Sequence, residues 1–139
     1  MTEFYYNFDA VGLDGFDIKE IRKYSRRLND LSELSARFEQ LRSSYENMSK
    51  ERADIAVCAY PPVSGVASVS AFNDLRRGLF SKKIKRHCIS LCVTKEEEDG
   101  SLSLYFYGAQ DFNFVKELFR GFIEQNKIPD FDGWEREVF

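Results

Sequence analysis

The most concentrated chemistry in this chain is cationic. Arg76-Arg77-Gly78-Leu79-Phe80-Ser81-Lys82-Lys83-Ile84-Lys85-Arg86 carries six cations in eleven residues, and Arg22, Lys23, Arg26 and Arg27 form a second cluster. Cations at this density neutralise phosphates and release counterions, so a nucleic-acid contact through Arg22, Arg26, Arg27, Arg76, Arg77, Lys82, Lys83, Lys85 and Arg86 is one reading. The plainer readings are a solvated connection leading into a strand, or a docking site for an acidic protein. No Cys/His finger, helix-turn-helix pattern or stacking motif adds weight to nucleic acid.

Nucleophilic catalysis would draw on Ser64, Ser68 or Ser70 with His87, the only histidine. No serine lies in a GxSxG elbow, and a histidine on the apolar side of a strand is more often a hydrogen-bonded core residue. A metal site would need His87, Cys88 and Cys92, but neighbours on a strand face opposite sides and no CxxC pair exists, so no metal is expected. Gly65 stands alone after an apolar run, which makes neither a P-loop nor a dinucleotide fingerprint. Glu96-Glu97-Glu98-Asp99 falls at a turn, where solvent keeps carboxylates ordinary. No catalytic residue, cofactor or small-molecule substrate is assigned, and an enzyme built on the 63–70 loop and His87 ranks third among the readings.

These candidates sit in a chain of 139 residues, the size of one domain, and a single domain over 1–139 is expected. Apolar residues make up 43% and aromatics 15%, a composition that folds and excludes disorder. Net charge is −3, but ten of the twenty basic residues lie in the two cationic windows, so the remainder carries −13. Three separated cysteines, Cys58, Cys88 and Cys92, fit a reduced cytoplasmic protein better than a disulfide framework. The first residues, Met1-Thr2-Glu3-Phe4, show no secretory pattern, and no apolar run is long enough for a membrane helix.

The elements that would position these groups follow from periodicity. Strand formers fill Thr2 to Ala10, and a glycine-bounded turn follows. Asp17-Ile18-Lys19-Glu20 matches a capping box, opening a helix over 16–50. Its apolar positions Ile21, Tyr24, Leu28, Leu31, Leu34, Phe38, Leu41, Tyr45 and Met48 keep helical spacing except at the step Leu28-Leu31-Leu34, where Asn29-Asp30-Leu31-Ser32-Glu33 could start a second helix instead. Unbroken, it would reach roughly 50 Å, more than a domain of this size is wide.

Asp54 to Tyr60 is a continuous apolar run expected to form a central strand ended by Pro61-Pro62. Val63 to Ser70 reads as a ligand-facing loop, followed by a short helix over Ala71 to Leu79. Period two returns from His87 to Thr94 and again from Leu102 to Tyr107, a β-hairpin expected to have one apolar face. Asp111 caps a last helix with Phe112, Val115, Leu118, Phe119, Phe122 and Ile123 as its stripe, and the aromatic tail of Phe131, Trp134, Val138 and Phe139 should pack back.

The expected fold is α+β, in the order β-α-β-(loop/short helix)-β-β-α. A mainly antiparallel sheet of about four strands would pack on one long and one shorter helix. The leading functional reading is a non-catalytic interaction protein of adaptor, inhibitor or subunit type. It would bind a protein partner or form a homo-oligomer, using Leu34, Phe38, Leu41, Tyr45, Met48, Phe131, Trp134 and Phe139, because an apolar stripe longer than its domain needs cover.

Overall fold

The computed structural model describes residues 2–6, 26–48, 53–74 and 88–138. Seven strands within them pair into one antiparallel sheet: β1 (Glu3–Tyr6), β2 (Arg26–Leu28), β3 (Asp54–Val63), β4 (Val66–Asp74), β5 (Cys88–Glu96), β6 (Leu102–Ala109) and β7 (Glu135–Val138). Their spatial order is β2-β1-β3-β4-β5-β6-β7. A 3₁₀ turn, Leu31–Leu34, leads into helix α1 (Ser35–Glu46), and helix α2 (Phe112–Gln125) follows β6.

Both helices bury their apolar stripes in one cluster with the sheet. Leu34, Phe38 and Leu41 meet Val115, Phe119 and Phe122 over Ile55, Val57, Val69, Ala71, Ile89, Leu91 and Val93. The rings lock edge to face, with Phe38 to Phe119 at 5.5 Å and Phe4 to Phe122 at 5.3 Å between centroids. Such pairs add to the area they remove from water. On the opposite face of the sheet Tyr5, Cys58, Ser68, Ser90 and Phe106 are buried as well.

Four expectations about the fold are corrected. The sheet has seven strands rather than about four, and no long helix occupies 16–50: within that span the described residues form β2, the 3₁₀ turn and α1. Arg26–Leu28 takes extended backbone because Leu28 pairs with Phe4 and Arg26 with Tyr6, so a cross-strand ladder outweighs the helical spacing of Leu28. The helical part starts at Asp30, the alternative start that the sequence offers. Its side chain accepts from the Ser32 N–H at 3.0 Å, and Glu33 reaches back to the Asp30 N–H at 3.3 Å, a complete capping box. The corresponding box at Asp17 lies outside the described residues.

The third correction concerns Val63 to Asp74, where a loop over Val63 to Ser70 and the start of a short helix over Ala71 to Leu79 are expected from the sequence; residues 75–79 lie outside the described residues. Ser64 and Gly65 form a tight turn, and Val66–Asp74 is a central strand paired on both sides. Its small residues hide a period of two that packs Val69 and Ala71 inward. Gly65 has φ +87°, and a Cβ there would come within 2.6 Å of the Glu96 carbonyl oxygen, so only glycine fits this crossing. Strand β3 also runs through Pro61 and Pro62, with a cis Tyr60–Pro61 peptide. The prolines are tolerated because the ladder with β4 passes from Cys58–Ser68 directly to Val63–Val66, and the pairing with β1 stops at Tyr60.

The fourth is a matter of register. The β5–β6 hairpin forms as expected, but Val93 lies opposite Tyr105 and Leu91 opposite Tyr107, so the tyrosines share the helix-covered face with Ile89, Leu91 and Val93. Leu102, Leu104 and Phe106 face the other way. Opposed residues in a ladder point to the same side, so the turn length decides which alternating set joins which.

Helix α2 agrees with its sequence. Asp111 accepts from the Asn113 N–H at 2.9 Å, and Asn126 closes the helix in left-handed backbone while the Lys127 N–H donates to the Gly121 carbonyl at 2.9 Å.

Candidate aromatic edge site

The segment after α2 turns back to the sheet through Asp130-Phe131-Asp132-Gly133-Trp134. Asp130 accepts from the Asp132 N–H at 3.0 Å, the Trp134 N–H donates to the Phe131 carbonyl at 3.0 Å, and Gly133 supplies the positive φ that closes the turn. This local chemistry places Phe131 and Trp134 on the two tyrosines of β6. Tyr105 and Phe131 stack at 4.0 Å, Tyr107 and Trp134 at 5.2 Å, and Phe131 meets Trp134 edge-on at 5.4 Å.

Phe114, on the outer side of α2, completes the group at 5.6 Å from Tyr107. Tyr107 remains 36% exposed and Phe114 41%, whereas Tyr105 and Phe131 are half-buried. Five rings therefore make one continuous surface at the β6–β7 end of the sheet, and its outer members face solvent. Aromatic faces in this state bind through stacking and cation–π contact, with little entropy lost by such stiff side chains.

Polar groups hold the edge in place. Arg136 donates to Ser103 Oγ from Nε at 3.1 Å and from a terminal nitrogen at 3.0 Å, and its guanidinium lies 5.8 Å from the Tyr105 ring centroid. Glu97 accepts from the Tyr105 hydroxyl at 3.2 Å and lies 3.5 Å from Arg136 and 3.8 Å from Lys95. A hydrogen bond from Ser103 and these two cations hold the Glu97 carboxyl below its usual range. Partial burial, together with Glu97, raises the Tyr105 phenol.

The other candidate residues are dispersed. Leu34, Phe38 and Leu41, expected at an interface, are buried in the chain's own core. Tyr45 is half-buried and donates to the Gln110 carbonyl at 3.0 Å, and Met48 is 60% exposed. Phe131 and Trp134 belong to the edge site, while Phe139 lies outside the described residues. Arg26 and Arg27 are exposed on β2, at the far end of the sheet, where Arg27 pairs with Glu3 at 3.6 Å. Arg22, Arg76, Arg77, Lys82, Lys83, Lys85 and Arg86 lie outside the described residues, as does His87. Of the serines, Ser64 sits in the turn and Ser68 is buried, and Ser70 donates to the Cys92 carbonyl at 3.4 Å.

Burial pushes the Cys58 thiol up to about 12, far from nucleophilic at neutral pH. Among the described residues no three His, Cys, Asp or Glu side chains gather as metal ligands, and no helix is long and apolar enough to cross a membrane. A groove of about 440 Å³ lies between α1 and the start of α2, lined by Glu39, Arg42, Tyr45, Asp111 and Lys116, with charges of both signs and no converging set of groups. Tyr105, Tyr107, Phe114 and Arg136 were not singled out from sequence. The available signals were the tyrosines at alternate positions of β6 and the Asp-Gly turn before Trp134. Compared with family models, curated proteins and solved structures, the chain matches none.

Proposed function

We propose that the protein is a non-catalytic binding module that docks a protein partner on the aromatic edge formed by Tyr107, Phe114, Phe131 and Trp134. The observation that carries this reading is the pair of solvent-facing rings, Tyr107 and Phe114, held side by side at 5.6 Å on rigid elements. Large aromatics cost free energy when left in water, and clustered at a surface they are the usual anchors of protein interfaces. The neighbouring polar groups are used up in holding the edge. Arg136, Ser103, Glu97 and Tyr105 bond to one another, which suits a preorganised docking surface.

The test is quantitative affinity capture from the host with the wild-type chain and with the double variant Tyr107→Ala/Phe114→Ala, after thermal melts show that both fold. A protein captured by the wild type and depleted at least tenfold with the variant supports the reading. Identical capture by both, or none by either, removes it.

A further inference from the structure

We infer that the outer edge of β7 is a strand-addition site for an extended segment of a different protein, one that presents basic residues at alternate positions opposite Glu135 and Glu137. This rests on the docking reading above and narrows it to a mode and a partner chemistry.

Strand β7 is last in the sheet. Its inner side pairs from Ser103–Val138 to Phe106–Glu135, and among the described residues no strand pairs with its outer side. An edge of this kind presents N–H and C=O groups to an incoming strand, and pockets on alternate side chains supply selectivity. Register sets the faces. Glu135 and Glu137 lie on the side of Phe106 and Leu104, whereas Arg136 lies on the side of Tyr105, next to the aromatic surface.

Charge selects the occupant. Arg136 is committed to Ser103 and Glu97, whereas neither Glu135 nor Glu137 has an ion pair among the described residues. With Asp130 and Asp132 just before them, the edge is acidic toward solvent. A second copy is a poor occupant, because a two-fold antiparallel pairing centred on Arg136 sets Arg136 against Arg136 and Glu135 against Glu137. Centring it on Glu137 sets Glu137 against itself. Like charges directly opposed destabilise a ladder, whereas a lysine or arginine opposite each glutamate stabilises it. A strand laid there would also bring its other face beside Trp134 and Tyr107, continuous with the docking surface.

A random ten-residue peptide library displayed on yeast, selected with the full chain, tests this. Selected peptides are then titrated by the fluorescence of Trp134, the only tryptophan. The expected binders carry Lys or Arg at positions i and i+2. Glu135→Lys or Glu137→Lys should each weaken them by about three- to tenfold, and the double reversal should favour peptides with Glu at those positions.

Binders without alternating cations, or indifferent to both reversals, overturn the strand-addition site. If those same binders still depend on Tyr107 and Phe114, the docking surface stands alone. Indifference to both sets of variants, or a selection that yields no binder, removes both. Sedimentation showing a dimer that Glu135→Lys abolishes would replace the foreign strand with a second copy.

Discussion

Arg136 on the last strand donates two hydrogen bonds to Ser103 on β6, at 3.0 and 3.1 Å, and Ser103 is fully buried. Glu97 lies 3.5 Å from the same guanidinium, so a serine wholly inside the sheet anchors a cation that also pairs with a carboxylate, both partly exposed. Ser103→Ala leaves the guanidinium without this acceptor. The expected cost is about 0.5–1.5 kcal/mol, the net range for a hydrogen bond whose remaining partners can rehydrate. It should be concentrated at the edge, so that amide exchange over Glu135–Val138 speeds up more than exchange in β4.

Glu97 predicts a response to acid. Its folded-state pKa is depressed, chiefly by the hydrogen bond from Ser103 and also by Lys95, Tyr105 and Arg136. A depressed carboxylate contributes stability that is complete above its unfolded pKa and is lost as pH falls through the folded value. The wild-type urea midpoint should therefore drop on acidification below the ordinary glutamate range. Glu97→Gln should be less stable at neutral pH and show a shallower drop. Parallel curves for the two proteins would contradict this account.

Asn73 ties the end of β4 to the start of β3. Its buried side-chain oxygen accepts from the Ala53 N–H at 2.6 Å while its own N–H donates to the Ala53 carbonyl at 3.3 Å. Asn73→Ala leaves the Ala53 N–H unpaired inside the core and should cost about 1–3 kcal/mol by chemical denaturation. Asn73→Asp keeps an acceptor but buries a charge, and its deficit should shrink as the carboxylate is protonated at low pH.

Gly65 sits where the β3–β4 turn comes close to the end of β5. The Glu96 N–H donates to the Gly65 carbonyl at 2.7 Å, and any Cβ at this position would meet the Glu96 carbonyl oxygen at 2.6 Å. Gly65→Ala combines a clash with a positive φ and should cost about 1–3 kcal/mol. Placing alanine instead at Gly100, where φ is +87° but the space around a Cβ is open, should cost less, since only the backbone term remains. Paired thermal melts give the comparison.

Tyr107 and Phe114 yield the opposite pattern. Both are surface rings, so Tyr107→Ala and Phe114→Ala should each change stability by no more than about 1 kcal/mol while partner binding falls at least tenfold. A large loss of stability without selective loss of binding would mark the rings as a scaffold.

Local signals in the sequence were readable where the deciding partners are neighbours in the chain. The Asp111 cap and the apolar stripe of α2, the turn at Glu97–Ser101, and the capping box at Asp30 are set by contacts within a few residues. The stretch 16–50 misled because Ile21, Tyr24 and Leu28 keep a helical spacing that continues the real stripe of Leu34, Phe38 and Leu41. What places Leu28 in a strand is Phe4, far away in sequence. The aromatic edge was half visible, in the tail of Phe131 and Trp134. Its other half, Tyr105, Tyr107 and Phe114, needed the register of β6 and the crossing of α2.

The amino-acid sequence by itself determined an α+β chain with mainly antiparallel pairing, one terminal amphipathic helix, a hairpin over 87–107 and an aromatic C-terminal segment too apolar to stay in water. These follow from periodicity, capping and turn chemistry, which act over three to five residues. Only the tertiary structure decided that the sheet has seven strands, that Leu34, Phe38 and Leu41 are core and not interface, and that the tyrosines of β6 face the helices. Each of these depends on which strand pairs with which and in what register. A one-residue shift of register exchanges the two faces of a strand, and nothing in the strand's own alternation says which face the rest of the chain will cover.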